Sequence, residues 1–261
     1  METPAGSQSG PISGNVLFYQ NPEPLSHAKH GHLGVKKIDN PFGFLKSAHA
    51  VPLTVTEFGM AACSYPIIFV GDERTPIAVM GVRQGENLYV NETGQTDPET
   101  YIPAFVRRYP FVFATDPAND QLLLCVDSQA PMVSDNPEVA FFDGEKASKF
   151  TEDAIEFCKE FERQRRGTLT LVEALKKHDL FEEKSISFQP RDAEGKESGP
   201  AQKIADYWAV SEERLNGLSD EAFIELKTMG ALGAIYSHFV SLLNWSRVIQ
   251  RALQAPADGT A

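Results

Sequence analysis

Cysteine is scarce. Three residues, Cys63, Cys125 and Cys158, serve a chain of 261, and none stands in a CxxC pair. That odd, sparse set excludes a disulfide framework and reads as reduced, buried thiols in a reducing compartment. No histidine lies close to any of them in sequence, so a nucleophilic or redox role has no support. Positive charge is also short: 24 Lys and Arg against 36 Asp and Glu give a net charge of −12. This excludes a basic footprint on nucleic acid and docking on anionic lipid, and it reads as solubility. No apolar run is long. The longest, Gly230 to Trp245, is interrupted by Ser237 and His238 and falls short of the roughly 20 residues a membrane span needs. The opening METPAGSQSGPISG has neither a basic n-region nor an apolar h-region. The expectation is a cytoplasmic protein without a signal peptide.

Catalytic signatures are missing too. There is no GxSxG elbow, P-loop, GxGxxG after a strand or HExxH. The pair His178-Asp179 falls far short of a metal phosphohydrolase signature, and no HxD with a distal His suggests an iron triad. His27, His30 and His32 fall within six residues but match no standard zinc spacing, so they read as a solvated loop. No catalytic residue, cofactor or metal is therefore assigned.

What is present is a dense apolar middle, from Phe58 to Asp127. Thr54 and Glu57 stand at capping-box spacing, predicting a short helix that Pro66 ends. Pro66–Val70, Pro76–Val82 and Asn87–Asn91 read as strands, with Gly71–Arg74 as a turn. Short connections make neighbours antiparallel. Asp97 and Pro98 predict a helix over 98–108. Phe111–Thr115 and Leu122–Asp127 read as another strand pair around the turn at 116–120. All of these are expected in one water-excluding slab.

The flanks are simpler. Residues 1–15 and 254–261 read as disordered tails around a single domain over 16–253, with 145–253 as an alternative smaller lobe. Val16–Tyr19 and Val35–Ile38 read as short or edge strands. A helical pattern covers 145–177 with a break at Gly167. Ile186–Phe188 and Ile204–Val210 suggest a hairpin around a charged loop at 191–199. Ser211 and Ser219 read as N-caps. A long C-terminal helix follows, with Phe223, Leu226, Met229, Leu232, Ile235, Tyr236, Phe239, Leu242 and Leu243 on its apolar period. The fold class is α+β: a mostly antiparallel central sheet flanked by helices.

Polar residues among the central apolar runs form the candidate site: Glu86, Asn87, Tyr101, Arg107, Arg108, Tyr109 and Asp127. They fall at element ends, where sites are built. Arginines beside tyrosines suit a forked grip on a carboxylate or phosphate. The competing reading is structural, with one arginine paired to Asp127 or Glu86.

Several segments together resemble the SapC family of bacterial proteins: Pro52-Leu53, Glu57-Phe58, Tyr65-Pro66-Ile67, Glu86-Asn87-Leu88-Tyr89-Val90, Tyr101-Ile102-Pro103-Ala104, Arg107-Arg108-Tyr109-Pro110-Phe111, Cys125-Val126-Asp127 and Ser241-Leu242-Leu243-Asn244. The resemblance runs over roughly residues 16–250. It implies an accessory or surface-layer-associated protein acting by protein contacts. It transfers no reaction and no catalytic residues. The alternative is a binder of a small anionic ligand, or an enzyme, built on Arg107, Arg108 and Tyr101. Oligomeric state is not legible.

Overall fold

The structure is a computed structural model and describes residues 17–116, 121–189 and 199–254. In chain order the early strands are β1 (Pro22–Pro24), β2 (Gly34–Val35), β3 (Ala50–Pro52), β4 (Ile67–Val70) and β5 (Thr75–Val79). Then come β6 (Phe111–Asp116), β7 (Gln121–Asp127), β8 (Val133–Ser134), β9 (Val139–Ala140), β10 (Phe142–Asp143) and β11 (Lys146–Ala147). β12 (Phe181–Phe188) and β13 (Gln202–Val210) complete them. The helices are α1 (His27–His30), α2 (Phe58–Ala61), α3 (Ala104–Arg107), α4 (Lys149–Lys177), α5 (Glu212–Asn216), α6 (Asp220–Thr228), α7 (Ala231–Ser241) and α8 (Trp245–Gln254). The fold is α+β, with antiparallel strand pairs throughout the described sheets. The expected tails over 1–15 and 254–261, apart from Gln254, residues 117–120 of the expected turn and residues 191–198 of the expected loop lie outside the described residues.

The chain divides into two compact units, Met1–Ile38 with Arg108–Lys159, and Asp39–Arg107 with Glu160–Ala261. In the first, β7 lies between β1 and β6, and β2 lies between β8 and β9. Its core joins Phe111, Val126, Phe141 and Cys158, with Phe111 edge-on to Phe141 at 5.5 Å. In the second, a five-stranded sheet runs β12-β13-β4-β5-β3. Its core includes Ile68, Val79, Tyr207, Ala209 and Trp245. One slab over Phe58–Asp127 is therefore corrected: β4 and β5 belong to one sheet, β6 and β7 to another. Each pair is a local hairpin with one outer partner from far along the chain, β13 on β4 and β1 on β7, and apolar runs do not say which distant strand that is.

Other expectations shift for local reasons. Val35 lies in a central strand rather than at an edge. Gly34 makes this feasible, because a Cβ there would come within 2.2 Å of the Val139 carbonyl oxygen. Residues 87–91 form no strand, because the Asn87 side chain takes the Tyr89 N–H (2.9 Å) and holds the Leu45 carbonyl (3.1 Å). The helix expected over 98–108 shrinks to α3, and Asp97 pairs with Arg251 instead of capping it. Val16–Tyr19 gives no strand among its described residues. β1 is Pro22–Pro24, on the sheet edge where proline is tolerated.

α4 runs unbroken through Gly167. Gly167 costs about 1 kcal/mol against alanine, but its flanks are anchored. Thr56 donates to Gln164 at 2.6 Å, and Thr168 accepts the Val55 N–H at 2.8 Å. The C-terminal helical stretch is present and long from Ala231 to Gln254, with one 3-10 turn at Leu242–Asn244. It separates from α6 at Gly230, whose φ of 77° is left-handed.

Candidate functional site

Four of the predicted site residues lie in the second unit. Thr54 and Glu57 form the expected capping box, and Glu57 then reaches further. Its buried carboxylate accepts the Thr54 N–H (2.9 Å) and hydroxyl (2.7 Å) on Oε2. On Oε1 it accepts the Tyr101 hydroxyl (3.0 Å) and the Ala104 N–H at the start of α3 (2.6 Å). Burial, then the Glu57 charge, raises the Tyr101 pKa, while Arg107 opposes the shift. Arg107 donates from Nε to the Ile102 carbonyl (3.0 Å) and from Nη2 to the Tyr101 oxygen (3.4 Å). Glu86 pairs with Arg83 at 2.9 Å, and Asn87 folds its own loop. These contacts hold chain to chain.

The other three lie in the first unit. Asp127 is fully buried. It accepts the N–H groups of Gln20 and Asn21 (both 2.9 Å), the Gln129 N–H (3.2 Å) and the Tyr109 hydroxyl (3.2 Å). Burial, then the Asp127 charge, pushes the Tyr109 phenol upward. Tyr19 donates to the Phe111 carbonyl and stands edge-on to Tyr109 at 5.2 Å. The Arg108 guanidinium lies 5.9 Å from the Tyr19 ring centre and opposes the burial that raises the Tyr19 phenol. The seven residues thus divide into two groups, four in the second unit and three in the first.

The remaining candidates take separate places. His30 is buried in α1, not solvated. Its Nε2 lies 3.0 Å from the Glu23 carboxylate and its Nδ1 beside Ser26. His27 stands edge-on to Phe142. Among the described residues no group of three His, Cys, Asp or Glu side chains is placed to hold a metal. His178 faces Glu225 at 3.3 Å, whereas Asp179 pairs with Arg214. Of the cysteines, Cys125 and Cys158 are buried, and burial pushes the Cys125 thiol up to about 11. Cys63 is exposed, correcting the buried reading, because the turn after α2 faces it outward.

Two features of the second unit escaped the sequence reading. The first is an open cleft of about 610 Å³ with Cys63, Tyr89, Asp97, Glu99, Arg247 and Arg251 in its lining. Arg251 lies 4.5 Å over the Tyr89 ring and donates to Leu88 (3.1 Å) and Asp97 (3.0 Å). Arg247 donates to the Cys63 carbonyl at 2.9 Å. The second is an apolar face. α2 packs against α7, and Met60, Tyr236, Val240 and Leu243 point outward with 62%, 50%, 58% and 76% of their surface exposed. The opposite face of α7 buries Ala234, Ile235 and His238. His238 carries that attachment: Nδ1 meets the Ile67 carbonyl at 2.9 Å and Nε2 accepts the Val210 N–H at 3.1 Å. The available signal was apolar neighbours, Ile235-Tyr236 and Leu242-Leu243, which cannot share one face of a helix.

Comparison with protein families matches residues 25–248 to SapC. The chain belongs to the SapC family. No curated protein and no solved structure matches it. The segments that carry the SapC resemblance have visible structural tasks here. Tyr101-Ile102-Pro103-Ala104 supplies two of the four donors on Glu57, and Tyr109 with Asp127 fastens residues 20–21. Among the described residues of this SapC chain, no helix is long and apolar enough to cross a membrane.

Proposed function

We propose that this SapC-family chain is an accessory protein that acts by protein contacts, through the face built by Met60, Tyr236, Val240 and Leu243. The exposure of those four large side chains, on two packed helices and the 3-10 turn that follows α7, carries the reading. Single exposed apolar residues are ordinary, but a cluster marks an interaction surface. Attachment beside a surface layer is one setting for such contacts. Assembly in the cytoplasm is supported by the exposed thiol of Cys63, which an oxidising compartment would leave open to oxidation. The test is a photo-cross-linking residue placed at Leu243 in producing cells, with the exposed Leu169 as control. The expected result is a defined protein adduct at 243 and none at 169. No adduct at 243, or equal adducts at both, overturns the reading.

The second reading is a carboxylate or phosphate binder, for which the cleft is a further place beside Arg107, Arg108 and Tyr101. The favouring observation is Arg247, which uses Nη1 on the Cys63 carbonyl and lines that open space. Excess inorganic phosphate or succinate then raises the melting temperature, and Arg247→Ala removes the rise. No rise with either anion excludes this reading.

A further inference from the structure

The exposed face has a finer pattern than its apolarity. From α7 through α8 the outward positions include Gly233, Tyr236, Val240, Leu243, Arg247 and Gln250. Their spacing alternates three and four residues, the interval that keeps one seam of a helix turned toward a partner helix. A seam of this kind is occupied by another helix more readily than by a loop or a strand.

We propose that the occupant is a second copy of this chain, its α7–α8 run laid antiparallel about a twofold axis between Val240 and Leu243. The proposal rests on the reading of this face as a protein contact and names the partner. Three observations support it. First, the seam is self-complementary under that axis. Val240 falls opposite Leu243, Arg247, held by the Cys63 carbonyl, falls opposite Tyr236, and Gly233 falls opposite Gln250. Second, a Cβ added at Gly233 meets nothing within 4 Å, which leaves room for the longer Gln250. Third, the chain carries a net charge of −12, yet no Asp or Glu stands between Glu225 and Asp258, its longest acid-free stretch. Two acidic copies repel over most of their surface, whereas the helices of the seam bring no carboxylate of their own; at its Arg247 end Asp97 and Glu99 line the cleft, and Asp97 is paired with Arg251. One helical seam is a small interface, so the dissociation constant belongs on the order of micromolar.

The experiment is sedimentation equilibrium of the full chain over about 2–200 μM, a range that brackets that constant. The wild type is expected to pass from monomer to dimer. Val240→Glu/Leu243→Glu is expected to remain monomeric, with unchanged circular dichroism because both positions are exposed. The register is read separately, in a Cys63→Ser background. Val240→Cys/Leu243→Cys is expected to oxidise to a covalent dimer, while Tyr236→Cys alone is not. A wild type that stays monomeric at the highest concentration overturns the pairing. So does a dimer that survives the double glutamate variant, or a Tyr236→Cys cross-link as efficient as the double variant's. A monomer that still gives a foreign adduct at Leu243 overturns self-pairing and leaves the contact reading standing. A monomer without any adduct removes both.

Discussion

The Tyr101 hydroxyl donates to Glu57 Oε1 at 3.0 Å, on a carboxylate only 4% exposed. Glu57 thereby joins the start of α2 to the start of α3. Its loss strands the Thr54 and Ala104 N–H groups, each worth about 1–3 kcal/mol when buried without a partner. Glu57→Ala is expected to cost about 3 kcal/mol or more in urea unfolding. Tyr101→Phe is expected to cost about 1 kcal/mol, and the two changes together less than their sum. Arg107→Ala, at an exposed position, is expected to stay within about 0.5 kcal/mol. A large loss at Arg107 with little at Glu57 would contradict this division of labour.

Asp127 does the corresponding work in the first unit. Asp127→Ala removes the acceptor for the Gln20 and Asn21 N–H groups and the Tyr109 hydroxyl. The expected loss is about 3 kcal/mol, with faster chymotryptic cleavage near Phe18 and Tyr19 under native conditions. An unchanged cleavage rate shows that the carboxylate does not fasten this segment.

His238 makes stability depend on pH. Burial holds its pKa down to about 4, from an ordinary value of 6.5. The unfolded chain takes up the proton near pH 6.5, whereas the folded chain refuses it until about pH 4. Stability is therefore full above pH 6.5 and falls as the pH drops toward 4. Between pH 7 and 5 this group alone removes about 2 kcal/mol. The urea midpoint of the wild type is expected to fall over that interval by correspondingly more than that of His238→Gln. Parallel pH profiles for the two proteins exclude a neutral buried imidazole.

Two glycines respond in opposite directions. Gly167 lies inside α4, and an added Cβ meets nothing within 4 Å. Gly167→Ala is expected to stabilise by about 1 kcal/mol. Gly230 has a φ of 77°, so Gly230→Ala is expected to cost about 1–2 kcal/mol despite equally open space. Thermal melts of the two variants shifting in the same direction would contradict the break between α6 and α7.

Local signals in the sequence carried well: the Thr54–Glu57 box, the β4–β5 and β6–β7 hairpins, the Ser211 and Ser219 caps and the α+β class each depend on residues close together in the chain. Partner choice over long range did not carry. Nothing near Phe69 indicates that it pairs with Trp208, nor anything near Pro22 that it pairs with Asp127. Polar groups at element ends include carboxylates that fasten the chain, such as Asp127, as well as binding groups. The apolar face is hidden in the sequence because Tyr236 and Leu243 continue the same apolar period as Ile235 and Leu242. Sequence spacing alone does not show which of two adjacent apolar residues faces out.

The most direct measurement is the adduct formed in living cells by a photo-cross-linker at Leu243. A discrete band heavier than the 28.8 kDa chain by one protein mass, absent at Leu169, is the predicted result. A chain that stays at its own mass with the probe at Leu243 would contradict the claim that this face is covered by protein.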